Sequence, residues 1–481
     1  MLRKKKRFDF FLLILVVYQK IFVLLQNQKH IVMTKKIFLL LLAALIAGGA
    51  QAYDFCATAP TGQMLYYNNN DDGTVTLTYP GEIGNPYTPS HPGPEGVLVI
   101  PSQVEGRTVS AIGSLALYGC PRLTSVTVPE TVTQIGGYAF AYNTSLEELV
   151  LPATLTKLPN HICCHCTSLP SITIPAAATI IGEVAFGDCE SLTAIILPDA
   201  TTIVEDNAFD GCTSLASIDL NRVEKVGYSV FNGCTSLTSI TLPESLDTIG
   251  FSFYGCTGLR QVVLNAPNCI MGNWQGAFPI NDYITDVVIG PAVVSIPDKA
   301  FYGFSALEEV VIPDNVQTIG EDGLSYAYGL RSLTIGSGVC SIGDYAFAGN
   351  RELDSIVMRG PVPTIASATF SLVPDDIPLH VPCGQGAAYA AAEYWSRFTN
   401  IIEDCGEASI DQLAQPQIQT TVEDRQITIR TGRPVQVRLS DVVGRTLYEG
   451  TVQTSVRISA PASGLYVMQT SDGTSTKVLV R

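Results

Sequence analysis

Apolar positions along the chain recur on a fixed long period. Leucine or isoleucine stands at Leu123, Leu146, Leu169, Leu192, Leu215, Leu237, Leu259, Ile284, Leu307, Leu330 and Leu353, at steps of 22 to 25 residues. Six residues before most of these is an aromatic: Phe140, Phe186, Phe209, Phe231, Phe253, Phe278, Phe301 and Phe347. Six residues after, the better copies carry proline (Pro129, Pro152, Pro175, Pro198, Pro243, Pro313). The unit reads roughly I-G-x-x-A-F-x-G-C-x-S-L-x-S-I-x-L-P. A unit this short cannot bury its own apolar face and must stack on its neighbours. In "LTSVTVP", Leu123, Val126 and Val128 alternate with Ser125 and Thr127, which predicts one short strand per turn, apolar side inward. The Ile135-Gly136, Ile249-Gly250 and Ile319-Gly320 steps add a second inward residue and a permissive corner. The predicted fold is mainly β: a solenoid of stacked repeats with Phe filling the space between its two sides.

At this point the chain resembles the BspA-like leucine-rich repeats of bacterial cell-surface proteins, over about residues 53–405. "YDFCATAPTGQMLYYNNNDDGTVTLTYPG" at 53–81 resembles the family's N-terminal strand cap, and "LHVPCGQGAAYAAAEYWSRFTNIIED" at 379–404 its closing strand and helix. An Ala-rich helix carrying Tyr389, Trp395 and Phe398 suits that closing role, since it can plug the open end of the core. The division expected is an N-terminal cap at 53–95, a leucine-rich-repeat solenoid at 96–378, a C-terminal cap at 379–405 and a linker at 406–417. After the linker come alternating runs ("RQITIR", "VQVRLSD", "SVRIS", "GLYVMQT", "KVLVR") punctuated by Gly444, Gly450, Gly464 and Gly473. They predict a small antiparallel β-sandwich at 418–481. Through "DVVGRTLYEG", "SGLYVMQTSDG" and "TKVLVR" this part resembles the sorting domain of the type IX secretion route; the alternative is an ordinary sandwich module. The first resemblance implies a surface-displayed protein that adheres to host matrix proteins or other bacteria. The second implies the secretion machinery as a partner, with export across the outer membrane and attachment to, or release from, the cell surface. A structural spacer without a ligand is the competing reading.

Cysteine falls on the same period. Cys120, Cys166, Cys189, Cys212, Cys234 and Cys256 all lie three residues before the repeat leucine, where other copies have Asn143, Asn281 and Asn350. Interchange of Cys and Asn at one turn position is the behaviour of a structural ladder. Stacked neighbours would lie about 5 Å apart with parallel side chains, so these are read as buried free thiols. In "HICCHC" (161–166), Cys163 holds the Phe position and Cys166 the ladder position, both expected in the core, with His161 and His165 on the surface. Zinc is the rival there, and the reading taken is no metal. Cys383 and Cys405 flank the capping helix and are candidates for a disulfide in an exported protein.

Composition narrows the function. The 481 residues are 46% hydrophobic and 15% charged, which is not a disordered composition. A net charge of -16, with its one basic run at 3–7, argues against nucleic acid as a partner. "MTKKIFLLLLAALIAGGAQA" has the charged, apolar and small-residue order of a signal peptide at 33–52. Residues 1–32 are then read as an extension upstream of a start at Met33; an uncleaved anchor broken by Gln19 and Lys20 is the alternative. No membrane span is expected in the mature chain, which is placed at the cell surface, in the outer membrane or outside the cell.

His30, His91, His161, His165 and His380 stand in no nucleophile elbow, zinc-protease helix or phosphate loop, and the "DNAFDG" and "NDYITD" carboxylates sit at turns. No enzyme activity and no cofactor are expected. The stacked strands instead offer a surface about 50 Å long. Its second outward column is low in charge: Val150, Thr173, Ile196, Asp219, Thr241, Val263, Val288 and Val311, continuing to Thr334 and Val357. This column is the candidate docking strip for an extracellular or surface protein, against the alternative of ordinary β-propensity. The irregular copy at 265–282 adds Trp274 as a binding-loop candidate, or a neutral bulge.

Overall fold

The computed structural model describes residues 53–81, 87, 93–272, 276–279 and 281–405. Beyond them it describes 419–423, 426–430, 435–441, 445–452, 455–460, 464–470 and 475–480. The extension, the signal peptide and the linker lie outside the described residues. The chain divides into two compact units, Met1–Asp404 and Cys405–Arg481.

In the first unit most repeats contribute two strands. One wall holds the longer ones, such as Leu123–Thr127, Ser239–Leu242, Gln261–Leu264 and Glu309–Ile312. The other holds two-residue strands such as Lys157–Leu158, Ile180–Ile181, Ile203–Val204, Lys225–Val226, Thr248–Ile249 and Ile270–Met271, which pair in parallel in that order. Parallel register is set by the period: Ser239, Gln261 and Asp286 align, as do Glu309, Ser332 and Ser355. Between the walls, backbone amides on the turn edge donate forward to the next repeat, Phe186 to Ala208 and Phe209 to Val230. On the strand side they donate backward, Ala216 to Thr193. Each repeat is thereby stitched to its neighbours in both directions.

The core is a column. Phe186, Phe209, Phe231, Phe253 and Phe278 stack with centroids 5.6, 5.9, 5.3 and 4.6 Å apart and planes within 17° of parallel. Offset stacking of buried rings adds about 0.5–1.5 kcal/mol per pair beyond their burial. The N-terminal strands Phe55–Thr58, Met64–Asn69 and Val75–Thr78 form an antiparallel run that pairs with Arg107–Ile112 and covers that end. At the other end the strand Pro378–Pro382 joins the long-strand wall beside Ser355–Met358 and is followed by Asn400–Asp404. The expected helix is short, Gly386–Ala391, with a 3-10 turn at Trp395–Arg397. Tyr394 in the left-handed region (φ 64°) separates the two. Tyr389, Trp395 and Phe398 are nonetheless buried, with Trp395 and Phe398 each 5.3 Å from Phe370.

The second unit contains antiparallel sheets. Gln419–Glu423, Gln426–Arg430 and Ser455–Ser459 form one; Thr446–Val452, Val435–Asp441, Gly464–Thr470 and Ser475–Val480 form the other. Ile427, Ile429, Val437, Leu439, Ile458, Tyr466 and Met468 make its core. The strands Gln419–Glu423 and Thr446–Val452 are additional to the runs picked out by alternation.

Candidate functional site

The outward column lies where alternation places it for most positions. Ile196 is 82% exposed, Val150 44%, and Val288 and Val311 42% each. Register aligns Ile196 with Asp219, Thr241 with Val263 and Val288, and Val311 with Thr334 and Val357. Part of the hydrogen-bonding capacity of Asp219 is spent locally, since its carboxylate accepts from the Asn221 amide at 2.9 Å.

Two positions depart from the expectation. Thr173 is exposed but lies in no strand, and no pairing joins it to Val150 or Ile196 among the described residues. Pro170 opens that segment and lacks the amide a ladder needs, so the sheet is interrupted there. Thr334 was expected outward and is 92% covered, flanked in register by the branched side chains of Val311 and Val357. Trp274 lies outside the described residues.

The cysteine ladder is a set of buried free thiols. Cys166, Cys189, Cys212, Cys234 and Cys256 each place Sγ within 3.0 to 3.4 Å of a backbone carbonyl of the preceding repeat, on Phe140, Cys163, Phe186, Phe209 and Phe231. Asn143 takes the same role with both ends of its amide, donating to Leu117 O at 3.0 Å and accepting from the Cys120 amide at 2.7 Å. This explains the interchange: the position needs a small donor aimed at the previous turn. Burial pushes the Cys212 and Cys256 thiols up to about 12, so they stay protonated at neutral pH. Such thiols are poor nucleophiles and poor metal ligands. Cys383 and Cys405 are disulfide-bonded.

In "HICCHC", Cys163, Cys164 and Cys166 are all buried. The histidines are half-buried on the turn edge, where each stacks on a tyrosine of the preceding repeat. His161 lies 4.1 Å from the Tyr138 ring and His165 4.3 Å from the Tyr142 ring. His165 Nε2 is 3.3 Å from the Asp188 carboxylate. Burial lowers the pKa of His161, opposed by the nearby Glu183. The sequence reading missed these tyrosines, although a signal existed: Tyr142, His165 and Asp188 occupy a repeat position that is glycine in many other copies.

Over the short strands lies a depression of about 590 Å³ whose lining includes Glu183, Glu205, Asp206, Lys225, Tyr228 and Ile270. Its carboxylates serve corners: Glu205 accepts from the Glu183 amide, and Asp206 from the Tyr228 amide at 2.8 Å. Lys157 bridges to Glu205 at 3.2 Å. Among the described residues, no helix is long and apolar enough to cross a membrane.

A family model for the BspA type leucine-rich repeat region matches residues 102–192, 156–274 and 275–375. Among solved structures, a leucine-rich repeat protein from Bacteroides ovatus is 24% identical, with a TM-score of 0.43, covering 73% of this chain and 100% of its own. A leucine-rich cell surface protein from Faecalibacterium prausnitzii is 18% identical, TM-score 0.31, covering 74% and 96%. The pneumococcal vaccine antigen PcpA is 17% identical, TM-score 0.40, covering 73% and 99%. No curated protein matches. With that repeat model spanning more than half of its length, the chain belongs to the BspA-type leucine-rich-repeat family.

Proposed function

We propose that this chain is an exported, surface-displayed adhesin that docks a protein ligand along its strand face, and that it performs no catalysis. The observation that carries the reading is the set of exposed, uncharged, branched side chains Val150, Ile196, Val288 and Val311, with half-buried Val263 aligned on Val288 by parallel pairing. Solvated β-branched residues in a row have unmet burial, and a partner that covers them removes apolar surface from water at roughly 25 cal/mol per Å². Residues 418–481 are read as the sorting domain that brings the repeats to the surface, and 33–52 as the peptide that starts export. Solved structures similar to the chain include a leucine-rich cell surface protein and a pneumococcal vaccine antigen.

The test is binding of the recombinant chain from Tyr53 onward to a panel of matrix proteins and to partner cells. A combined V150K/I196K/V263K/V288K variant should lose saturable binding by about tenfold or more while keeping its melting temperature. A spacer without a ligand would show no saturable binding in either form. For export, removal of 418–481 should shift the protein from the surface fraction to the periplasm; unchanged surface display would remove the sorting role.

A further inference from the structure

The last strand of the long-strand wall, Asn400–Asp404, is held lightly. Among the described residues it pairs on one side only, with Pro378–Pro382, and so ends the sheet. All its residues but Ile401 are exposed, and Ile401 is the one packed against the core. Its side-chain contacts lie in solvent. The Asp404 carboxylate is 3.0 Å from His380 Nδ1, and Glu403 accepts from the Gly384 and Gly386 amides at 2.9 and 2.7 Å. Exposed ion pairs contribute little.

The segment leading into this strand holds the plug of the core. Tyr389 and Trp395 are buried; the Tyr389 hydroxyl donates to Gly360 O at 3.1 Å and Trp395 Nε1 to Pro363 O at 2.9 Å. Arg397 donates to Phe370 O and Val373 O and pairs with Asp375. Plug and last strand belong to one loop of chain. Cys383 directly follows Pro378–Pro382, Cys405 directly follows Asn400–Asp404, and the disulfide between them closes that loop.

The same bond stands at a boundary, because the first compact unit ends at Asp404 and the second begins at Cys405. Tension that reaches the first unit from the second therefore arrives at Cys405. Without the disulfide it would run on through Asp404 and pull on the lightly held strand. With the disulfide, the covalent path goes from Cys405 straight to Cys383, and residues 384–404 carry no load.

The bond is also within reach of reagents. Cys383 and Cys405 are exposed, whereas the ladder thiols are buried. Exposed disulfides are the labile ones. An external thiolate attacks one sulfur and forms a mixed disulfide, which a second external thiol resolves. Two protein thiols are released with the protons of the external pair, and that pair leaves as its own disulfide.

We infer that the Cys383–Cys405 disulfide is a load-bearing staple, removable by external thiols, that carries tension from the second unit past residues 384–404 into the solenoid wall. It stands apart from the strand-face and sorting readings, because any tether beyond Cys405 loads the same bond.

The test pulls single molecules of the chain from Tyr53 onward in optical tweezers, through enzymatically attached handles at its two ends, with and without dithiothreitol. Reduction acts on the folded chain, so no variant has to fold without the bond. In the reduced chain the segment should release as one step of about 70 Å, at lower force than any other release from the first unit. The oxidised chain should lack that step and keep the others unchanged. E403A should lower the release force in the reduced chain and change nothing in the oxidised one. Under native conditions iodoacetamide should label Cys56 and Cys340 alone before reduction, and Cys383 and Cys405 as well after it. The same steps in both forms, release of the segment only together with the rest of the first unit, or failure of the reductant to expose Cys383 and Cys405 in the folded chain would each overturn the assignment.

Discussion

The run from Phe186 to Leu264 and the interval from Asn265 to Leu307 are built from the same unit, yet they hold together differently. In the first, repeats follow at 22 or 23 residues, phenylalanines stack nearly parallel, and each rung residue reaches back to the previous repeat, as Cys256 does to Phe231. In the second, the step from Leu259 to Ile284 is 25 residues. The rung residue Asn281 turns inward on its own loop, accepting from the Tyr283 amide at 2.7 Å and the Ile284 amide at 2.8 Å. Phe304 then fills the next rung place, and its ring meets Phe278 at 87°. The short-strand sheet also stops: no strand pairing joins Ile270–Met271 to Ser295–Ile296 among the described residues. Extra residues in one turn thus turn one rung side chain onto its own loop and stop the short-strand pairing, while the long-strand wall runs on from Gln261–Leu264 to Asp286–Ile289. In a quasi-one-dimensional stack, that marks the weakest interface.

The sharpest way to break the comparison is Phe209→Ala in the regular run. It removes a ring stacked on both sides, and chemical denaturation should show a loss of about 3–5 kcal/mol. Asn281→Ala should cost about 2 kcal/mol, because it leaves buried amides without their acceptor. Cys256→Ala should cost only about 1 kcal/mol, since a weak thiol donor and one small volume are lost. If the two rung variants prove equal, the distinction between rungs that bond back to the previous repeat and rungs that bond within their own loop fails.

Titration sharpens the same contrast. The Cys212 and Cys256 thiols are raised from near 9 to about 12 by burial, so the unfolded chain ionises first. Their contribution is fully present below pH 9 and is lost as pH rises toward 12. Melting temperature should therefore fall across that window, and less so in a Cys212→Ala/Cys256→Ala variant. The smallest expected effect is in amide exchange: the Met271 amide, which faces the break in the short-strand sheet, should exchange about tenfold faster than those of Val204 and Val226.

Much of this architecture was legible because a repeat states its geometry many times over. One copy of "SLTSITLP" says little, but many copies at one period fix which residues face inward, where the Phe column runs and why Cys and Asn exchange. Position-specific departures were harder to read. Pro170 is one residue against a strong alternation, and its effect on Thr173 appears only when the missing amide is set in the ladder. Thr334 looks outward by period and is hidden by its register neighbours, which alternation along one strand does not contain. The cap helix ends early because the chain turns extended at Ala392 and then left-handed at Tyr394, neither of which composition announces.

The two-way stitching of the backbone has one more consequence. Because every internal repeat donates forward on one edge and backward on the other, each presents the same contacts to whatever follows it. Duplicating or deleting a whole unit in the regular run would heal without a seam, and each added unit would lengthen the body by about 5 Å. Length here behaves as a dial. The distance the solenoid spans can change over evolutionary time by unequal recombination, with no new packing to invent and no redesign of either end.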